Sequence, residues 1–206
     1  RWKYGTGEAL NNGTHEIDVA RWALDVTWPT RVSSNGGRYA FQDDWETPDT
    51  QTISWDFPEG KSMAWEGRSC NPFPVEGRSR GTLIYGTEGT ALLDGDDYII
   101  YDKKGKIIKQ AKGTEIVDPT NTISGSGMGM DTAHVSNFIE TVRGNQQLNC
   151  PIVEGYKSVT LLHLGNIAWR TGRELNCDPA NGHIVKDRDA MKLWRRKYES
   201  GWEPKV

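Results

Sequence analysis

The stretch TISWDFPEGKSMAWEGR, residues 52–68, limits the possible folds more than any other. Ile53, Trp55 and Phe57 alternate with Thr52, Ser54 and Asp56. After a Pro-Glu-Gly-Lys turn, Met63 and Trp65 alternate with Ala64, Glu66 and Arg68. A period of two places alternate side chains on opposite faces of a strand, so this is a hairpin with one apolar face. That face needs a cover, and helices are the natural one.

The strand pattern continues in TLIYGTEGTALLDGDDYIIYDKKGKII, residues 82–108. Four short apolar runs are split by Gly-Thr-Glu-Gly, Asp-Gly-Asp and Lys-Lys-Gly, which reads as an antiparallel meander. With a strand near Val32 to Phe41, the sheet has about seven strands. Residues 110–130 read as a loop.

Helical spacing flanks the strands. Residues 14–26 place Val19, Trp22, Ala23 and Val26 on one stripe, expected to be buried, with Thr14 or Asn12 as N-cap and Trp28-Pro29 as the stop. Asp131 caps a helix carrying Val135, Phe138, Ile139 and Val142, with Gly144 past its end. Further helices are expected over 154–171, stopping at Gly172, and over 187–198. Helix, many strands, then helices give an α+β fold. We expect an open, mainly antiparallel sheet with helices packed on one face, forming a single domain over residues 1–206. The other face is wet or, if apolar, covered by a second copy.

The 206 residues carry a net charge of −3, which argues against a general nucleic-acid surface. No apolar run approaches the ~18 residues of a membrane span. Cys70, Cys150 and Cys177 are odd in number and lack CxxC spacing, so reduced, partly buried thiols are expected rather than a disulfide framework or a zinc site. The chain begins at Arg1 without a methionine, so we expect a fragment or processed product, and its localisation cannot be read.

Candidate chemistry centres on NNGTHEIDVARWAL, residues 11–24. His15 stands at a helix N-terminus, where the helix dipole favours the neutral imidazole a general base requires. Asn11 lies one turn before it and Asp18 three residues after, both within reach on a helix. The structural alternative is a histidine that merely helps to cap the helix. A metal set of His15, Glu16 and Asp18 is disfavoured because Glu16 points away from His15. Arg68, Glu66 and Asp56 project from the polar hairpin face and contact substrate only if that face borders His15. The GSGMGM run, residues 125–130, lacks the Lys-Ser/Thr of a phosphate loop, and Gly5-Thr6-Gly7 lacks the third glycine of a dinucleotide fingerprint. His163, inside LLHLGNIAW, is expected in the core, His134 at the surface and His183 in a turn.

GTHEIDVARWAL resembles the helix opening the C-terminal domain of the Gfo/Idh/MocA oxidoreductases. GTEGTALLD, HLGNIAWRTGREL and the closing NCDPANG…DRDAMKLWRRKYESGW resemble later parts of that domain in the bacterial sugar-related subgroup. The resemblance implies a glyceraldehyde-3-phosphate dehydrogenase-like C-terminal fold and an NAD- or NADP-binding Rossmann domain upstream of Arg1. No cofactor would then bind tightly to these 206 residues, which would be inactive alone. It implies a sugar, polyol or sugar-derivative substrate and a homodimer or homotetramer formed through the sheet face. It makes His15 the proton acceptor with Asn11 beside it. By their own placement, Lys3 and Tyr4 in the run before His15, Asp18 one turn after it and Arg68 on the polar hairpin face are candidate substrate contacts. The family pattern has Asp where this chain has Asn11, an amide that cannot take a proton at neutral pH. An NAD-dependent, redox-neutral glycoside hydrolysis therefore stays open. So do a free-standing carbohydrate-binding module using Trp45, Trp55 or Trp65, and a dimerisation domain without a site.

Overall fold

A computed structural model describes residues 1–113 and 128–203. The chain divides into two compact units, residues 1–72 with 156–206 and residues 73–155.

The first unit holds helices α1 (Gly7–Asn11) and α2 (Gly13–Leu24) and strands β1 (Arg31–Gly37), β2 (Thr50–Asp56) and β3 (Ser62–Arg68). The expected hairpin forms, with Ile53 opposite Trp65 and Trp55 opposite Met63. Glu59 and Gly60 at its tip both take positive φ, which closes the turn. The buried residues Gln51, Ile53, Trp55, Met63, Trp65 and Gly67 share one face.

In the other unit, β4 (Thr82–Tyr85), β5 (Gly89–Asp94), β6 (Asp97–Asp102) and β7 (Ile107–Ala111) form the expected meander, followed by α3 (Met128–Val142). A long helix, α4 (Ile152–Thr171), ends with Gly172 in the left-handed region, as expected. Within the first unit follow β8 (Leu175–Asn176) and α5 (Arg188–Met191).

The strands form two four-stranded antiparallel sheets, β3-β2-β1-β8 and β4-β5-β6-β7, rather than one sheet of about seven strands. No ladder joins β3 to β4 among the described residues, and the two-residue β8, too short to stand out as a pattern, completes the first sheet. Residues 114–127, which hold most of the expected loop and the first part of GSGMGM, lie outside the described residues. β1 stops at Gly37, four residues before Phe41, and the last helix is one turn, not 187–198.

The core of the first unit gathers Val32, Ile53, Trp55, Leu161, Leu162, Leu164 and Leu175 between sheet and helices. Trp55 donates its indole N–H to the Leu161 carbonyl at 2.9 Å, satisfying a polar atom that burial would otherwise penalise. Gly165 lets α4 lie directly on Ile53.

The expected stripe of α2 is reversed. Gly13, Ile17, Ala20, Arg21 and Leu24 face inward, whereas Val19, Trp22 and Ala23 are exposed, Trp22 at 79 %; only Val26 of the expected stripe, two residues past the helix, is buried. Both stripes satisfy the 3.6-residue period. Gly13 decides between them by admitting the Trp65 ring against its backbone, and Arg21 finds Ser158 at 2.9 Å. Asp25 closes the helix in the left-handed conformation, before Trp28-Pro29 is reached. The apolar stripe of α3 is likewise exposed: Val135, Phe138, Ile139 and Val142 are each at least 41 % accessible.

Candidate functional site

His15 lies exposed in the first turn of α2. α1 and α2 run nearly end to end: Asn12 N donates to Glu8 O at 3.1 Å, the Thr14 hydroxyl to Leu10 O at 2.7 Å, and His15 N to Asn12 O at 3.1 Å. This helical spacing puts Glu8, Asn11 and His15 on one stripe, a turn apart. Glu8 was not among the residues picked from sequence. Its carboxylate accepts the Asn12 amide at 2.6 Å and the Asn11 amide at 3.3 Å. The signal is present in Glu8-x-x-Asn11-Asn12, but the helical spacing legible in the sequence starts only at residue 14.

Buried groups hold the segment before the stripe. Asn166 on α4 donates to the Thr6 carbonyl at 2.8 Å and accepts from Gln51 on β2 at 3.3 Å. Trp2 lies under the Arg170 guanidinium, 4.3 Å from its ring centre, and its backbone N–H reaches Glu46 at 2.6 Å. Gly7 packs against Thr47, too close for any β-carbon. The loop carrying Glu46 and Thr47 is itself fixed by buried Asp49. Burial would raise the pKa of that carboxyl, but the N–H groups of Tyr39 and Ala40 and the Thr50 hydroxyl outweigh the penalty and hold it below its ordinary value.

The other candidates separate. Lys3 and Tyr4 are exposed, just upstream of α1. The Lys3 carbonyl accepts from Arg196 at 2.8 Å and its ammonium lies 3.9 Å from Glu199. Asp18 accepts the Ser158 hydroxyl at 2.5 Å, and Ser158 in turn accepts from Arg21, so this carboxylate ties α2 to α4. Arg68 pairs with Glu66 at 3.0 Å. By strand alternation it stands on the face opposite Trp65, and Gly13 of α2 meets the Trp65 side, so Arg68 is not brought beside His15.

Several smaller expectations resolve here. His163 keeps accessible surface on α4 while Leu162 and Leu164 take the core positions, yet enough of its ring is covered that burial lowers its pKa. His134 is exposed, and His183 sits in a turn with its N–H on Asn181. The cysteines are free: Cys177 is buried, which pushes its thiol up to about 12, while Cys70 and Cys150 are exposed rather than partly buried. Trp55 and Trp65 are core residues, at 0 % and 9 % exposure, so neither is a sugar platform. Among the described residues, no group of three His, Cys, Asp or Glu could hold a metal ion, and no helix is long and apolar enough to cross a membrane.

A search of curated proteins finds no match. Solved structures share the fold at low identity. An oxidoreductase from Agrobacterium radiobacter, in complex with NAD+, L-tartaric acid and magnesium, has a TM-score of 0.59 and 17 % identity. The match covers 80 % of this chain and 47 % of that one. The UDP-N-acetylglucosamine 3-dehydrogenase GnnA from Acidithiobacillus ferrooxidans scores 0.56 at 14 % identity, covering 80 % of this chain and 50 % of that one. The WlbA dehydrogenase from Bordetella pertussis, in complex with NADH and UDP-GlcNAcA, scores 0.51 at 13 % identity, covering 82 % and 44 %. The chain thus spans about half the length of these structures. A family model described as "Oxidoreductase family, C-terminal alpha/beta domain" matches residues 79–204, downstream of the α1–α2 stripe. The chain belongs to the Gfo/Idh/MocA oxidoreductase family and carries its C-terminal α/β domain.

Proposed function

We propose that this chain is the substrate-binding and oligomerisation domain of an NAD(P)-dependent oxidoreductase acting on a sugar, polyol or sugar derivative, with His15 as the proton acceptor. The observation that carries the reading is the exposed imidazole of His15, on one stripe with Asn11 and Glu8, in a chain of an oxidoreductase family. Proteins of the same fold include a dehydrogenase whose structure holds NADH with UDP-GlcNAcA and an oxidoreductase whose structure holds NAD+, L-tartaric acid and magnesium.

A dinucleotide is cradled by a glycine-rich turn between a strand and a long helix. Gly5-Thr6-Gly7 instead follows no described strand and opens a five-residue helix, so this segment does not fit that group. A nicotinamide held elsewhere in the full protein would supply the hydride acceptor. This chain's part is the proton. As a secondary alcohol is oxidised, its hydroxyl proton passes to the bare nitrogen of His15 and its carbon–hydrogen bond is lost as hydride. Asn11 offers an acceptor oxygen or a donor NH2 to the substrate or to the ring, but takes no proton. Lys3 and Tyr4, exposed upstream, are candidate contacts for substrate hydroxyls. Asp18 acts behind the stripe by holding α2 on α4.

The assembly contact falls to the sheet of β4–β7. Its rows Leu83–Leu92–Ile99 and Ile84–Ala91–Ile100 make both faces apolar, and Tyr85 and Ile107 are exposed. The open face of the other sheet carries Ser33, Ser54, Thr52 and the Arg31–Asp56 ion pair instead, a surface suited to water.

The test is turnover of a panel of aldoses, polyols and uronates by the full-length protein, followed in the absorbance of reduced nicotinamide, with sugar release measured in parallel for the redox-neutral branch. His15→Ala is expected to lower kcat by about 10²–10⁴. Unchanged turnover leaves the domain a scaffold only.

A further inference from the structure

We propose that Glu8 is a positioning residue for the proton acceptor, turning the Asn11 amide so that its carbonyl oxygen rather than its NH2 is offered along the stripe to His15. This rests on the reading that His15 accepts the substrate proton. An asparagine amide fits its space equally well in two orientations, one donating and one accepting, and only its neighbours choose. An ionised carboxylate only accepts. Both amides that reach Glu8, Asn12 at 2.6 Å and Asn11 at 3.3 Å, therefore point their NH2 groups at it. The Asn11 oxygen is left to the other side of an exposed side chain, one helical turn before His15.

The consequence is chemical. An NH2 turned on the imidazole would donate to the ring nitrogen it faces, put the ring's own proton on the opposite nitrogen, and leave no bare nitrogen for the substrate hydroxyl. An oxygen accepts the ring N–H instead, fixing one tautomer and leaving the opposite nitrogen open to the substrate hydroxyl. Glu8 thereby supplies, through Asn11, the acceptor that an aspartate at position 11 would have supplied directly. The short bond from Asn12 holds the Glu8 carboxylate in place, and the longer one from Asn11 sets which face of that amide turns away.

The experiment uses Glu8→Gln, Asn11→Asp and their combination. An aspartate accepts through both oxygens, so it needs no orienting partner. The first reading requires no substrate. With the intact protein labelled with nitrogen-15 at histidine and held at alkaline pH, the wild type is expected to show one dominant His15 tautomer. Glu8→Gln should show a mixture, and Glu8→Gln with Asn11→Asp one tautomer again. An unchanged ratio in Glu8→Gln overturns the proposal. Should Glu8→Gln loosen the α1–α2 junction, the wild type still decides. Its Asn11 NH2 signals must stand apart from those of solvent-exposed asparagines, and coincidence with them overturns the proposal.

The second reading is turnover. Glu8→Gln should lower kcat about tenfold with KM unchanged, as for the loss of one charge-assisted hydrogen bond, and should be harmless in the Asn11→Asp background. Equal losses in both backgrounds mean a merely structural role and sink the inference. His15→Ala separates the two claims. If it leaves turnover intact, the base assignment fails. If it abolishes turnover while Glu8→Gln changes nothing, only the role of Glu8 fails.

Discussion

One helix, α4, tests the packing that supports the site, because the same substitution at its two glycines should have opposite signs. A β-carbon added at Gly165 would stand 2.4 Å from Cδ1 of Ile53, 2.6 Å from its Cγ2 and 2.9 Å from its Cγ1. Carbon atoms in contact prefer ~3.5–4.0 Å, so Gly165→Ala asks for about 1 Å of separation. Ile53 is fully buried and Leu161, Leu162 and Leu164 fill the surroundings, so little can give. Overpacking of this kind costs about 1–3 kcal/mol. Removing a helical glycine returns about 0.5–1 kcal/mol. The net is a destabilisation of about 1 kcal/mol, a fall of about 2–4 °C in Tm for a chain of this size. A β-carbon at Gly155 meets nothing within 4 Å, so Gly155→Ala keeps only the helical gain and should raise Tm slightly. The neighbour Asn166 holds the Thr6 carbonyl, so Gly165→Ala should also loosen residues 1–7 and speed amide exchange there. Paired thermal unfolding scans decide it. If Gly165→Ala proves as stable as Gly155→Ala, or more so, the close approach of α4 to the sheet is wrong.

Two further outcomes follow from burial. Cys70 and Cys150 should react rapidly with a thiol reagent at neutral pH while Cys177, its thiol pushed up to about 12, reacts only after unfolding. Counting thiols before and after denaturant checks this, and three fast thiols contradict it. Asp49 has its folded pKa held below the unfolded value, so its contribution is present above about pH 4 and is lost as pH falls further, through the folded value. Asp49→Asn should lower stability at neutral pH and flatten that acid limb in denaturant titrations. An acid limb as steep as the wild type's refutes the role of the carboxylate.

Much of the architecture is legible in residue order. The period-two run at 52–68 specifies the hairpin and its register, because a slip of one residue would turn Trp55 and Trp65 to water. The Gly- and Asp-rich punctuation of 82–108 specifies the meander, and Gly172 ends α4. His15 and Asn11 stand out because helical spacing is local arithmetic. What residue order leaves undecided is which competing arrangement finds partners far along the chain. α2 carries two apolar stripes of the same period, and the choice falls where Gly13 meets Trp65 of β3 and Arg21 meets Ser158 of α4, both far along the chain. Arg68 and His15 look like neighbours in a list of polar residues, yet strand alternation sets them on different sides of the sheet. Glu8 gains meaning only once residues 7–11 coil into a helix, which they do on a platform built from Asn166, Thr47 and Arg170. Periodicity is written in neighbours along the chain, but burial is awarded by contacts between distant segments, and those exist only in the folded molecule.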